Sequence, residues 1–218
     1  MRQMPDKAFD LAIVDPPYGI LNLEGPGSTV AIRKSPRQQG SGKLKHRVLN
    51  QSNVQWDAVP TTEYFAELFR VSKNQIIWGG NYFKLPPSRG FAIWDKKQPW
   101  PNFSACEFAW TSFDCPSKLF AYDNRQDAKQ HPTQKPIDLY VWLLQRYAKP
   151  GDTILDTHLG SGSSRIAAYD FGFSFTGYEL DKDYFDAQER RFAEHVAQPQ
   201  LFVPEAAVQT QDSLFGGE

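Results

Sequence analysis

Residues 152–180, DTILDTHLGSGSSRIAAYDFGFSFTGYEL, restrict the fold more than any other stretch of this 218-residue chain. A short β-branched run, DTILD (152–156), leads through a glycine-containing loop into a helical pattern, SSRIAAYDFG (163–172). A second apolar run, FSFTGYEL (173–180), follows at once. Strand, helix and strand in so short a span argue for a parallel pair joined by a crossover helix. Gly160 and Gly162 let the backbone turn tightly and approach a ligand, and the free N–H groups of a helix N-terminus come next. Glu179 ends the second strand, where an acid can accept hydrogen bonds from both ribose hydroxyls of a nucleoside. Asp156, Gly160, Ser161, Gly162 and Glu179 are therefore candidate binding residues for an adenosine-containing cofactor. A GSG loop in place of GxGxxG argues against a dinucleotide, and the lack of Gly-Lys-Ser/Thr argues against a P-loop.

The rest of the chain repeats the alternation. Further strands are expected at 9–15, 75–80, 91–96, 106–113 and 118–122, and further helices at 61–73, 136–149 and 182–196. The expected class is α/β and Rossmann-like: a mostly parallel sheet with helices on both faces. The cluster at 91–122 has no room for crossover helices, so its strands are expected to be antiparallel neighbours. One domain over 1–218 accommodates all of this. Residues 21–55 form a long mobile loop, 97–130 a small candidate target-recognition region, and 199–218 a loosely docked tail. No run reaches membrane-spanning length and MRQMPDKAFD lacks a signal-peptide core, so a cytoplasmic protein with no membrane partner is expected. Two cysteines and four histidines make no convincing metal site.

Two motifs carry the chemistry. FDLAIVDPPYG (9–19) is a buried-strand pattern that stops on a carboxylate, two prolines and a tyrosine. Ligands of open α/β sheets bind beyond the carboxyl ends of the strands, so Asp15 and Asp156 should share one edge. An exocyclic amine of adenine or cytosine is a poor nucleophile, because its lone pair is delocalised into the ring. The Asp15 carboxylate and the Pro16 carbonyl can accept its two hydrogens and localise that lone pair. Pro17 adds rigidity without a competing donor, and Tyr18 offers a face on which an extruded base stacks. HPTQKP (131–136) is stiffened by Pro132 and Pro136, which hold Lys135 near a helix start, where it could pair with a cofactor carboxylate.

Together, Asp15-Pro16-Pro17-Tyr18, His131–Pro136 and Asp156-Thr157-His158-Leu159-Gly160-Ser161-Gly162 resemble the amino-methylating DNA methyltransferases that use S-adenosylmethionine. Having the catalytic motif before the cofactor loop resembles their permuted β class, over roughly residues 9–185. The resemblance implies that Asp15, Pro16, Pro17 and Tyr18 hold the target base. It likewise implies that His131, Thr133 and Lys135 lie at the methionine end of the cofactor. Asp in DPPY points to adenine N6, since N4-cytosine enzymes more often have Ser there. The family loop usually reads D-P-F-x-G-S-G, and here Thr157-His158 replaces Pro-Phe. Family members also carry a strand with an acid just before DPPY, which is expected to be missing from a chain that starts eight residues before Phe9.

The remaining signals are weaker. Six of the 24 Lys and Arg residues (Arg33, Lys34, Arg37, Lys43, Lys45 and Arg47) fall within 33–47, and none of the 25 acids does. A solvated loop has that composition, but beside DPPY it suits phosphate contact, making DNA the expected partner. The short recognition region implies a short target, or help from the basic loop or from a second subunit in a homodimer. Trp78–Phe83 reads as core packing and a turn that also stands near the base pocket. Asp95-Lys96 reads as a surface pair, and His46 and His195 as solvated. Rival readings are an enzyme acting on cytosine N4, RNA or protein glutamine, and a degenerate methyltransferase fold serving as a DNA-binding module.

Overall fold

The computed structural model describes residues 1–19, 58–98, 104–123 and 134–198. The described residues hold one sheet of seven strands. These are β1 (Phe9–Val14), β2 (Ser72–Trp78), β3 (Phe91–Asp95), β4 (Cys106–Thr111), β5 (Lys118–Ala121), β6 (Thr153–Asp156) and β7 (Ser174–Gly177). Their order is β5-β3-β4-β2-β1-β6-β7. The helices are α1 (Thr62–Val71), α2 (Ile137–Tyr147), α3 (Ser163–Asp170) and α4 (Lys182–Ala197).

Strand β1 lies between parallel partners β2 and β6, and β7 extends the parallel run beyond β6. Its side chains divide between two cores. Leu11 and Ile13 join Ile76, Ile154, Leu139 and Leu143 on the face that α2 and α3 cover. Ala12 and Val14 join Ile77, Leu155, Phe65 and Leu68 on the face under α1. A strand buried on both sides must be apolar throughout, which explains why LAIV reads as a run without alternation. Below the opposite sheet end, the Asp10 carboxylate accepts from the Thr153 N–H and hydroxyl at 2.9 Å and pairs with Lys73 at 2.6 Å. This ties β1 to β6 and β2 in one register. The Lys73 and Thr153 bonds lower the Asp10 pKa to about 2.

The 91–122 cluster is only partly antiparallel. β4 runs antiparallel to both β2 and β3, but β5 pairs with β3 in parallel, on the edge away from β4. No helix is needed, because residues 112–117 pass under the start of β3. There the Phe91 N–H donates to Ser117 Oγ at 3.0 Å, and a Cβ on Gly90 would stand 2.3 Å from the Cys115 carbonyl oxygen. Glycine at 90 is what allows the chain through. Two expected strands also end earlier. β2 follows α1 directly and stops at Trp78, where Gly79 takes φ +69° into a short 3-10 turn, Gly80–Tyr82. β7 stops at Gly177, two residues before Glu179.

β4 and β5 occupy much of 97–130, so most described residues of the expected recognition region are sheet and its connections. The 21–55 loop and the 199–218 tail lie outside the described residues, as does His46. Among the described residues no strand precedes β1; the carbonyls of Met1 and Met4 accept from Arg70 of α1. None of the described helices is long and apolar enough to cross a membrane, and no described group of three acids, His or Cys could hold a metal ion.

Candidate active site

The carboxyl ends of β1, β2, β3, β6 and β7 meet the start of the antiparallel β4 at one sheet edge. Asp15–Tyr18, Gly79–Phe83, Lys96, the glycine loop and Glu179 leave the strands there. Glu107 opens β4 at the same edge, and Lys135 arrives just before α2.

Asp15 is held on both oxygens. The Tyr18 hydroxyl donates to Oδ1 at 2.7 Å, and the Lys135 ammonium donates to Oδ2. Lys135 also stands 3.2 Å from Glu107 Oε2, and the other Glu107 oxygen pairs with Lys96. Its Nζ lies 5.2 Å from the ring centre of the fully buried Trp78. Burial pulls the Lys135 ammonium toward neutrality, but Asp15 and Glu107 outweigh it and leave its pKa raised. Burial pushes the Glu107 carboxyl up, yet Lys135 and Lys96 bring it down to about 2. Burial and the neighbouring Asp15 raise the Tyr18 phenol well above its usual value, so it remains a donor.

Among the described residues the partners of Lys135 are protein carboxylates, as a cation with a 4% exposed side chain requires. One expectation changes here. Asp95 and Lys96 do not pair with each other: Lys96 turns inward to Glu107, and Asp95 takes Lys97 at 2.7 Å.

The Tyr18 ring fits between neighbours from β2 and its turn. Tyr82 stacks on it with centroids 5.0 Å apart and planes 19° off parallel, and Phe83 meets it edge-on at 6.1 Å. Tyr82 remains 47% exposed, so this aromatic stack opens to solvent on one side. Trp78–Phe83 thus does more than turn the chain.

The glycine loop is fastened from beneath. Asp156, fully buried, accepts from the His158 N–H at 2.9 Å through Oδ1 and from Ser164 Oγ at 2.5 Å through Oδ2. Burial raises its pKa to about 7. His158 sits beside Thr157, with Nδ1 3.0 Å from Oγ1, and the Tyr64 hydroxyl of α1 joins them at 2.7 Å from Thr157 Oγ1. Burial lowers the His158 pKa to about 4, so its imidazole is neutral near pH 7. Glu179 accepts the Gly160 N–H at 2.8 Å on Oε2 and the Asp181 N–H at 2.9 Å on Oε1. Gly160 takes φ +53°, and among the described residues a Cβ there would meet only the His158 carbonyl oxygen, 3.9 Å away, so the described residues leave the loop backbone open on that side.

Asp15, Pro16, Pro17 and Tyr18 are therefore brought together with Lys135, while Asp156, Gly160, Ser161, Gly162 and Glu179 form the adjoining loop. His131 and Thr133 lie outside the described residues, as do Arg33, Lys34, Arg37, Lys43, Lys45 and Arg47. Sequence reading missed Glu107 and Tyr64, and it read Lys96 only as part of a surface pair. Glu107 had left one trace, a lone acid in the apolar run CEFAW. His195, expected to be solvated, pairs with Asp170 at 2.7 Å.

A mostly parallel sheet with a glycine loop after one strand and DPPY after its neighbour defines a Rossmann-like domain. The profile of the family described as DNA methylase, which groups N6 and N4 enzymes, matches residues 109–190. Over that stretch the chain is similar to the amino-methylating DNA methyltransferases. It is 26% identical to the putative methylase YubD of Escherichia coli (strain K12), covering 95% of both chains. It is 23% identical to the type II methyltransferase M.HinfI of Haemophilus influenzae, covering 89% of this chain and 66% of the relative. The crystal structure of the M1.HpyAVI–S-adenosylmethionine complex superposes with a TM-score of 0.52 at 19% identity, covering 85% of this chain and 90% of that one. That likeness is one of fold.

Proposed function

We propose that this protein transfers a methyl group from S-adenosylmethionine to the exocyclic N6 of adenine in DNA, on a base turned out of the helix. The observation that carries this reading is the placement of Asp15 beside the glycine loop, held on one oxygen by Tyr18 and on the other by Lys135. Each carboxylate oxygen has about two lone-pair directions, so both bonds leave room for an incoming N–H. Asp15 and the Pro16 carbonyl accept the two amine hydrogens and direct the nitrogen lone pair outward. Tyr18 and Tyr82 offer the aromatic surface on which the extruded base rests, offsetting part of the cost of flipping. Asp15 would take the proton that the amine must release.

The loop fits the cofactor. Its backbone is open at Gly160, the Glu179 carboxylate adjoins it, and Tyr178 and Leu180 expose apolar surface on either side of that acid, Leu180 at 99%. Gly160, Ser161, Gly162 and Glu179 would hold S-adenosylmethionine, with His131 and Thr133 at its methionine end. When bound, it supplies an electrophilic methyl group on a sulfonium. The basic side chains within 33–47 would supply phosphate contacts.

Aspartate as the first residue of DPPY favours adenine over cytosine N4. Mass spectrometry of nucleosides from DNA incubated with protein and S-adenosylmethionine tests this. N6-methyladenine is expected, and N4-methylcytosine would select the other amine. Asp15→Ala should abolish the modification while leaving cofactor binding intact; methylation at an undiminished rate would remove Asp15 from the mechanism.

A further inference from the structure

We infer that Glu107 and Lys96 are positioning residues of the reaction, forming with Lys135 a charge chain that holds the Asp15 carboxylate in its working orientation. The kinetic consequence rests on the methyl-transfer reading above; the charge chain itself does not.

Lys96, Glu107, Lys135 and Asp15 alternate in sign and contact one another in that sequence. They come from four separate parts of the fold: the end of β3, the start of β4, the approach to α2 and the end of β1. Their side chains are 15%, 23%, 4% and 20% exposed. The grouping has no net charge, which is the condition under which four charges tolerate so little water. Lys135 bridges two carboxylates and must divide its attraction between them. Lys96 decides the division: by neutralising Glu107 on its far oxygen, it leaves Lys135 available to Asp15. Without Lys96, Glu107 would draw the ammonium toward itself. Without Glu107, Lys135 would lose the contact that fixes it from the other side. Neither Lys96 nor Glu107 contacts Asp15, so both act through Lys135.

Other titratable groups face Asp15 as well. Tyr18 is on its own loop, Tyr64 on α1 and Tyr140 on α2, while Asp156 ends β6 and His158 follows it. The three phenols are pushed up by burial and the imidazole down, so these four are neutral near pH 7. Asp156, raised by burial to about 7, is common to all the variants, so differences made at Lys96 or Glu107 reach the site mainly through Lys135.

The test uses Glu107→Gln, Lys96→Met and Lys96→Arg in the full chain, with two readouts. The first is methyl transfer to DNA against pH. Both Glu107→Gln and Lys96→Met should lower kcat by roughly tenfold or more, with the S-adenosylmethionine Kd changed less than about twofold. Removing the cation should move the acid limb of the kcat profile to higher pH, and removing the carboxylate should move it lower. Lys96→Arg should restore the wild-type profile. A merely structural role would produce no such opposite displacements. The second readout is the 15N-detected ammonium resonance of Lys135, identified by its loss in Lys135→Arg. It should shift in both Glu107→Gln and Lys96→Met. If Glu107→Gln fails to fold, Lys96→Met decides by the same two measures. If the wild type transfers no methyl group to DNA, the functional reading fails while the Lys135 resonance still tests the chain. An unmoved Lys135 signal, or an unchanged kcat and acid limb in an active enzyme, overturns the inference.

Discussion

Gly79 and Tyr18 are packed so closely that a methyl group on Gly79 would stand 2.2 Å from Cε1 of the tyrosine ring. The ring carrying the Asp15 hydrogen bond thus rests on bare backbone at the end of the neighbouring strand. Gly79 has φ +69°, so alanine there meets strain and collision together. Gly79→Ala should cost about 2–4 kcal/mol in denaturant unfolding. It should also lower methyl transfer more than a stability loss alone explains, because Tyr18 must move. Unchanged activity in the folded variant would mean that the ring position is not critical.

Tyr82 stacks on the outer face of the same ring while remaining half exposed. Tyr82→Phe keeps the stack and should be neutral. Tyr82→Ala should lose only about 0.5–1.5 kcal/mol of stability. Its larger effect should fall on the KM for DNA, measured at saturating S-adenosylmethionine; an unaffected KM would separate Tyr82 from base binding.

Lys135→Met leaves Asp15 and Glu107 facing each other without their shared cation. A loss of about 2–4 kcal/mol in unfolding free energy is expected, below the figure for a wholly buried pair because both carboxylates keep some solvent contact. Adding Glu107→Gln should recover part of that loss. Strict additivity of the two substitutions would show that the coupling is absent.

Asp156 and His158 should bend the pH dependence of stability in opposite directions. The Asp156 pKa rises from 3.8 to about 7 on folding, so the folded protein binds its proton more tightly and stability from this group is lost as pH rises between those values. The His158 pKa falls from 6.5 to about 4, so stability from this group is present above the upper value and lost as pH falls through the window. Between about pH 4 and 6.5 the two largely cancel. Asp156→Asn should unmask a stability that increases with pH there, and His158→Gln one that decreases, each by at most about 1.4 kcal/mol per pH unit. Thermal melts of both variants across this window check the signs; parallel slopes would contradict the assignment.

Much of the fold was legible from local pattern. The βαβ unit at 152–180, the buried strand before DPPY and four of the helices follow from apolar runs and periodicity, which need only neighbouring residues. The parallel pairing of β5 with β3 did not follow, because it depends on a loop passing under Gly90. Lys135 was recognisable as a site residue but not by its partners. A lysine between prolines carries no mark of the two acids, 28 and 120 positions away in sequence, that meet it in space.

The sequence by itself determined which chemistry is present: a carboxylate, a rigid proline carbonyl and an aromatic ring at one strand end, and a glycine loop with its acid at another. Those requirements are local, since strand ends, turns and helix starts are set by adjacent residues. Only the tertiary structure decided how the charges are shared. Lys96, Glu107, Lys135 and Asp15 come from separate elements, and buried charges must find neutralising partners wherever the sheet brings them together. The DPPY motif names the group proposed to meet the base; strand order determines what holds that group in place.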